Sequence, residues 1–83
     1  MTQYLIMCTS LTAAQRAQRV LENIGISAST VKAPQGLNTR GCGYAVSVYR
    51  RAGEAISHLH TKNMINGKIF RREEDGTYTE VKA

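Results

Sequence analysis

The pattern of hydrophobic and polar residues first predicts a buried strand and then a helix. Residues 3–8 form a short, nearly continuous apolar run, which is typical of a central strand. Thr9 and Ser10 follow and offer a hydroxyl group for a helix N-cap. Apolar residues then recur at helical spacing up to Gly25, which is expected to end the helix. The recurring positions are Ala13, Ala14, Ala17, Val20, Leu21 and Ile24.

The middle of the chain predicts two more strands and a second helix. Weak alternation predicts a strand over residues 26–33, which Pro34 ends because proline cannot donate to a strand ladder. A stronger alternation predicts another strand over residues 44–49. One apolar stripe predicts a helix over residues 52–63, and its members are Ala52, Ala55, Ile56 and Leu59.

The last part of the chain predicts a hairpin. Residues 68–72 resemble an edge strand, and residues 78–81 are expected to pair back onto them. Between the two runs, Asp75-Gly76 is the signal of a tight turn.

The order of these elements is typical of an α+β fold. It predicts a ferredoxin-like βαββαβ sandwich, in which two helices cover one face of an antiparallel sheet, with an extra C-terminal strand. We expect a single domain over residues 1–83, with a core at 3–72 and the hairpin strand at 77–82. This architecture alone names no function, because it hosts many of them.

Composition narrows the classes of function. The net charge of +5 favours anionic partners such as RNA, phosphate-bearing ligands or acidic protein surfaces. No apolar stretch approaches the length of a membrane span and the first residues lack a secretory pattern, so we expect a cytoplasmic protein without a membrane partner. Two cysteines are too few for a disulfide scaffold or a four-thiolate zinc site, and we expect no metal or cofactor.

Cys42 is the residue that most clearly indicates chemistry. It lies between Gly41 and Gly43, in a glycine-rich loop just before the third predicted strand. Glycine neighbours allow positive φ and let other groups approach the sulfur without a Cβ clash. Arg40 would favour the thiolate, which is the reactive form of cysteine. The pattern therefore predicts a presented thiol.

Cys8 closes the first predicted strand, next to Thr9 and Ser10. In a ferredoxin-like sheet the first and third strands are adjacent and antiparallel, which would bring Cys8 and Cys42 to one corner beside the first helix. The positive end of the helix dipole would favour a thiolate there. Cys8 itself is interpreted first as a small buried hydrophobe. The alternative is a resolving thiol, whose disulfide with Cys42 would be transient in the cytosol.

The chain resembles the small selenium/sulfur carrier-like domains. The similarity spans about residues 3–70 and rests on an apolar start, a hydroxyl pair, an alanine-rich helix, a proline and a Cys-Gly step into a strand. The segments concerned are Tyr4-Leu5-Ile6-Met7, Thr9-Ser10, Glu22-Asn23-Ile24-Gly25-Ile26, Pro34 and Cys42-Gly43-Tyr44-Ala45-Val46.

This resemblance implies a carrier rather than a self-sufficient enzyme. Cys42 would accept sulfur or selenium as a persulfide or selenosulfide and pass it to a partner protein, which requires an accessible thiolate. Binding residues would surround the anion, with Arg40 supplying charge and the backbone near Gly41 and Gly43 supplying N–H groups. Thr9 and Ser10 complete the predicted binding set.

Two other classes of function remain open from the sequence. An RNA-binding domain would use its open sheet face and five basic residues, Arg50, Arg51, Lys68, Arg71 and Arg72. The chain lacks the basic-glycine-aromatic signature of that module. A regulatory or assembly module would pair a sheet edge with a partner or with a second copy, with the terminal hairpin as the arm.

His58 and His60 are two residues apart, which is poor spacing for a shared metal ion.

Overall fold

A computed structural model of the chain describes residues 2–34, 43–65 and 67–81. Within these ranges the predicted helices and strands are confirmed in type and order, with somewhat different ends. The elements are β1 (Tyr4–Cys8), α1 (Leu11–Asn23), β2 (Ala28–Lys32), β3 (Tyr44–Val48), α2 (Ala52–Thr61), β4 (Ile69–Arg72) and β5 (Tyr78–Val81). The fold is therefore α+β, as the sequence predicted.

The strands described by the structure form one open antiparallel sheet in the order β2-β3-β1-β4-β5. β1 is central, and its Ile6 lies opposite Val46 of β3 on one side and Ile69 of β4 on the other. The prediction that β4 is an edge strand was wrong. β5 pairs along the whole of β4, because the turn at Gly76 brings the chain back beside it.

Helix α1 begins and ends where local sequence signals predict. The Oγ of Ser10 accepts a hydrogen bond from the Ala13 N–H at 3.1 Å, which satisfies one of the N–H groups that a helix start leaves unpaired. At the other end Gly25 adopts a φ of +82°, and its N–H bonds to the Glu22 carbonyl. Only glycine adopts this left-handed conformation without steric cost, so the helix stops there.

Both helices pack on the same face of the sheet. The buried residues on that face form the helix-side cluster, which draws on α1, α2 and alternate positions of the strands. Its members are Ile6, Cys8, Ala14, Ala17, Leu21, Ile26, Ala28, Val46, Val48, Ala55, Leu59 and Ile69. Burial of this apolar surface is the main source of the fold's stability.

A second buried group lies on the other face of the sheet. This opposite-face cluster consists of Leu5, Met7, Ala45 and Phe70, against which Val31, Ala33 and Tyr78 pack. β1 is therefore buried on both faces, which explains why its sequence is a continuous apolar run instead of an alternating one.

The C-terminal hairpin forms at the predicted turn. The Glu73 N–H bonds to the Thr77 carbonyl at 2.7 Å, and Gly76 adopts a φ of +89°. Asp75 accepts hydrogen bonds from the hydroxyl and the N–H of Thr77, and this lowers the pKa of its carboxyl group.

Neither helix within the described ranges is long and apolar enough to cross a membrane.

Candidate functional site

Three of the predicted site residues, Arg40, Gly41 and Cys42, lie outside the described residues. The structure does describe the residues that follow them in the chain and the strand end that faces these. We call this region the β1–β3 corner, and it comprises Cys8, Thr9, Ser10, Gly43 and Tyr44. Cys8 lies opposite Tyr44 in the antiparallel register, so the ends of β1 and β3 meet here as the sequence predicted.

Gly43 is tied to the sheet by its backbone. Its carbonyl accepts a hydrogen bond from the Ala33 N–H at 3.0 Å, one step beyond the pairing of Lys32 with Tyr44. Its φ lies outside the left-handed region, and a Cβ built on it would meet no heavy atom of the described residues within 4 Å. Neither the backbone conformation nor a contact with the described residues therefore requires glycine at this position.

Cys8 is buried, as expected of a small hydrophobe. It is 1% exposed within the helix-side cluster, and its Sγ lies 3.6 Å from the Ile6 carbonyl oxygen in a weak hydrogen bond. A reaction at this sulfur therefore requires the end of β1 to open.

The N-terminus of α1 makes the β1–β3 corner electropositive. This helix has no acidic residue in its first turn, so the partial positive charge of its N-terminus is not offset locally. The Ser10 hydroxyl oxygen is occupied by the cap, whereas Thr9 is exposed. The corner is suited to stabilising a nearby anion, and a thiolate or a persulfide is such an anion.

Arg51 lies at the N-terminus of α2 and contacts two parts of the chain. It has a left-handed φ of 56°, and its Nη1 donates to the Gly25 carbonyl at 3.2 Å. Its Nε and Nη2 donate to the carboxylate of Glu54, and this hydrogen bonding lowers the pKa of Glu54 and raises that of Arg51. Arg51 thus links α2 to the turn after α1.

The five basic residues predicted for nucleic-acid binding lie in two segments of the chain, one before α2 and one in or next to β4. Arg50 and Arg51 lie before α2, and the carboxylate of Glu54 accepts a hydrogen bond from Arg51 Nε at 3.1 Å. Arg72 alternates with Arg71 along β4, so their side chains point to opposite faces. The carboxylate of Glu73 accepts from Arg71 Nε at 2.7 Å, and Lys68 Nζ lies 3.7 Å from Glu80. Acidic neighbours therefore offset several of these charges.

The two histidines of α2 differ in exposure. His58 is partly buried and His60 is exposed. Among the residues that the structure describes, no group of three or more His, Cys, Asp or Glu side chains could hold a metal ion.

Sequence reasoning missed one polar contact on the opposite face of the sheet. Ser47 is 3% exposed, and its Oγ accepts a hydrogen bond from Gln3 Nε2 at 2.8 Å. A serine in the middle of an apolar strand was the available signal, because a buried hydroxyl needs a partner.

Most of the chain, including the β1–β3 corner, is similar to a known protein family. The sequence profile of the family described as "Putative Se/S carrier protein-like" matches residues 3–71. The chain belongs to this family. The match to the Se/S carrier-like family runs from β1 into β4, and it confirms the resemblance inferred from the sequence. No curated protein and no solved structure matches the chain.

Proposed function

We propose that this Se/S carrier-like domain is a cytoplasmic carrier that bears sulfur or selenium on the thiol of Cys42 and transfers it to a partner protein. Family membership supports the class of function. The observation that carries the choice of residue is the anchoring of Gly43 at the β1–β3 corner. A trans peptide bond holds neighbouring Cα atoms about 3.8 Å apart, so the proposal puts the thiol beside this electropositive corner.

The loading step needs only a persulfide donor. The Cys42 thiolate attacks the terminal sulfur of a donor protein's persulfide, forming a new S–S bond while the old one breaks. The donor leaves as a thiolate, and Cys42 becomes the persulfide, so no external oxidant or reductant is consumed. A selenium atom at the terminal position would transfer by the same displacement.

The residues around the corner have defined roles in this proposal. The N-terminus of α1 lowers the free energy of the anionic forms through its dipole. Arg40 would add a positive charge, and the backbone N–H groups of Gly41 and Gly43 are the proposed hydrogen-bond donors to the anion. Thr9, which is exposed, offers a hydroxyl donor. Delivery to a partner enzyme, not turnover by the domain alone, is the proposed activity.

The arrangement of the strands and helices is that expected of a ferredoxin-like domain. β1 is flanked by β3 and β4, with β2 outside β3, and both helices contribute to one cluster. These features support a ferredoxin-like domain extended by β5. In it Cys8 serves the core, and a role as resolving thiol would depend on opening of β1.

Intact mass under non-reducing conditions tests the carrier. Wild type is incubated with a cysteine desulfurase and cysteine, and in a second arm with selenocysteine. We expect the mass of one sulfur or one selenium atom to be gained and then lost on reduction with dithiothreitol.

Two cysteine variants make the result specific. Cys42→Ser should gain no atom, whereas Cys8→Ala should load like wild type because its remaining thiol is the proposed carrier. An adduct on Cys42→Ser, or none on any of the three proteins, would overturn the proposal.

A further inference from the structure

β2 is an edge strand of the sheet. It pairs with β3 on its inner side, and no strand in the described ranges pairs with its outer side. Backbone N–H and C=O groups on the outer side of such a strand are a template for pairing with another chain.

The register shows which groups of β2 point outward. Ala33 and Gly43 are a hydrogen-bonded pair, since the Ala33 N–H reaches the Gly43 carbonyl. Hydrogen-bonded and non-bonded pairs alternate along antiparallel strands, so Val31 and Ser29 direct their backbone groups towards β3. Those of Ala28, Thr30 and Lys32 therefore point away from the sheet.

β2 has fewer protective features than β5, the other edge strand of the described sheet. Each strand contains one charged residue, but Lys32 stands at the end of β2, whereas Glu80 lies within β5. β5 is also one residue shorter, with four residues against five. Charged residues and short length are the usual means of preventing an edge from pairing, so β2 is the more receptive of the two edges.

We propose that β2 pairs antiparallel with β2 of a second copy of this chain, about a two-fold axis at Thr30. In this register Thr30 lies opposite the second copy's Thr30, and Ala28 lies opposite its Lys32. All three outward-pointing residues then form hydrogen-bonded pairs. An axis at Lys32 would instead place two lysines opposite each other, which is destabilising.

Charge complementarity supports this register. The side chain of Thr30 lies on the helix side, where its Oγ1 donates to Gln18 Oε1 at 2.6 Å, and Gln18 Nε2 lies 3.5 Å from Glu22 Oε2. Glu22 lies one turn, about 6 Å, beyond Gln18 in the C-terminal direction of α1. α1 runs in the opposite direction to β2. Glu22 therefore lies towards Ala28.

The second copy's Lys32 would approach that same position. It faces the helix side, since Lys32 shares its face with Thr30 two residues away. Opposite Ala28 it comes within reach of Glu22, and both side chains are exposed in the single chain. The two-fold axis repeats the ion pair, so the dimer contains two Lys32–Glu22 contacts. This pairing does not depend on the carrier function.

Molar mass measured by light scattering across a dilution series tests the proposal. Wild type should be a concentration-dependent dimer. Lys32→Glu and Glu22→Lys should each weaken dimerisation about tenfold, since two ion pairs become repulsive contacts. The double variant Lys32→Glu/Glu22→Lys should recover the wild-type affinity. Lys62→Glu is the matched control, because Lys62 is an exposed lysine after α2, and it should dimerise normally.

Amide hydrogen exchange gives a second readout. The N–H groups of Thr30 and Lys32 should gain protection as wild type is concentrated, whereas those of Tyr78 and Glu80 on the β5 edge should not. A wild type that stays monomeric, a dimer insensitive to both single reversals, or a double variant without rescue would overturn the proposal.

Discussion

The two faces of the sheet differ in what packs against them, although both are buried at the centre. On one face, α1 and α2 cover the strands and form the helix-side cluster. On the other, the opposite-face cluster is packed by Val31, Ala33 and Tyr78. Leu5 and Ile6 are adjacent in β1 and point to different faces, yet each is 1% exposed. The second face is therefore a small core and not a polar surface.

The burial of the face without helices bears on the function of the domain. A sheet that binds single-stranded RNA exposes aromatic rings at its centre for stacking on bases. Here Phe70 is 8% exposed, and the exposed aromatic residue Tyr49 lies beyond the end of β3. The described face offers no central stacking ring, which favours the carrier proposal over the RNA-binding alternative.

The largest loss of stability is expected when one buried side chain on each face of the sheet is truncated to alanine. Leu5→Ala and Ile6→Ala should each lower the free energy of unfolding by about 2–5 kcal/mol, because each leaves a cavity among packed neighbours. Urea unfolding followed by circular dichroism measures this. Leu11→Ala is the control, since Leu11 is 41% exposed and its truncation should have a much smaller effect. If Leu5→Ala is as mild as Leu11→Ala, the second face is not a core.

A smaller effect is expected from the hydrogen bond on each face. Ser47→Ala removes the contact with Gln3, and Thr30→Val removes the contact with Gln18. Each should cost about 0.5–1.5 kcal/mol, the usual net value of one hydrogen bond. The double variant should show additive losses, because the two contacts lie on different faces. Strong non-additivity would mean that the faces are coupled through the sheet.

The smallest change in stability is expected from the Arg51–Glu54 ion pair, which lies at the start of α2 and is part of neither cluster. The hydrogen bond from Arg51 lowers the pKa of the Glu54 carboxyl in the folded protein. A carboxyl with a lowered pKa stabilises the fold above its unfolded pKa and loses that contribution as the pH falls through its folded pKa. Wild type should therefore exceed Glu54→Gln in urea midpoint at neutral pH, and the difference should shrink in acid. A difference independent of pH would exclude this ion pair as its source.

Much of the fold could be predicted because the relevant signals are local. Ser10 and Gly25 delimit α1 through hydrogen bonds to residues a few positions away. Gly76 does the same for the hairpin. The alternation of β3 and the continuous run of β1 indicate burial on one or both faces. The candidate site was predictable only in part, since Gly43 is placed by Ala33 across the sheet.

The sequence by itself determined the order and type of the elements, the ends of α1 and the membership of the Se/S carrier-like family. Only the tertiary structure decided that β4 is internal, that Gln3 pairs with Ser47, and that Arg51 reaches Gly25. These contacts join residues distant in the chain. No local propensity encodes them. The strand contacts form when the packing of both faces selects one register, and the Arg51 contact forms when α2 packs beside the turn after α1.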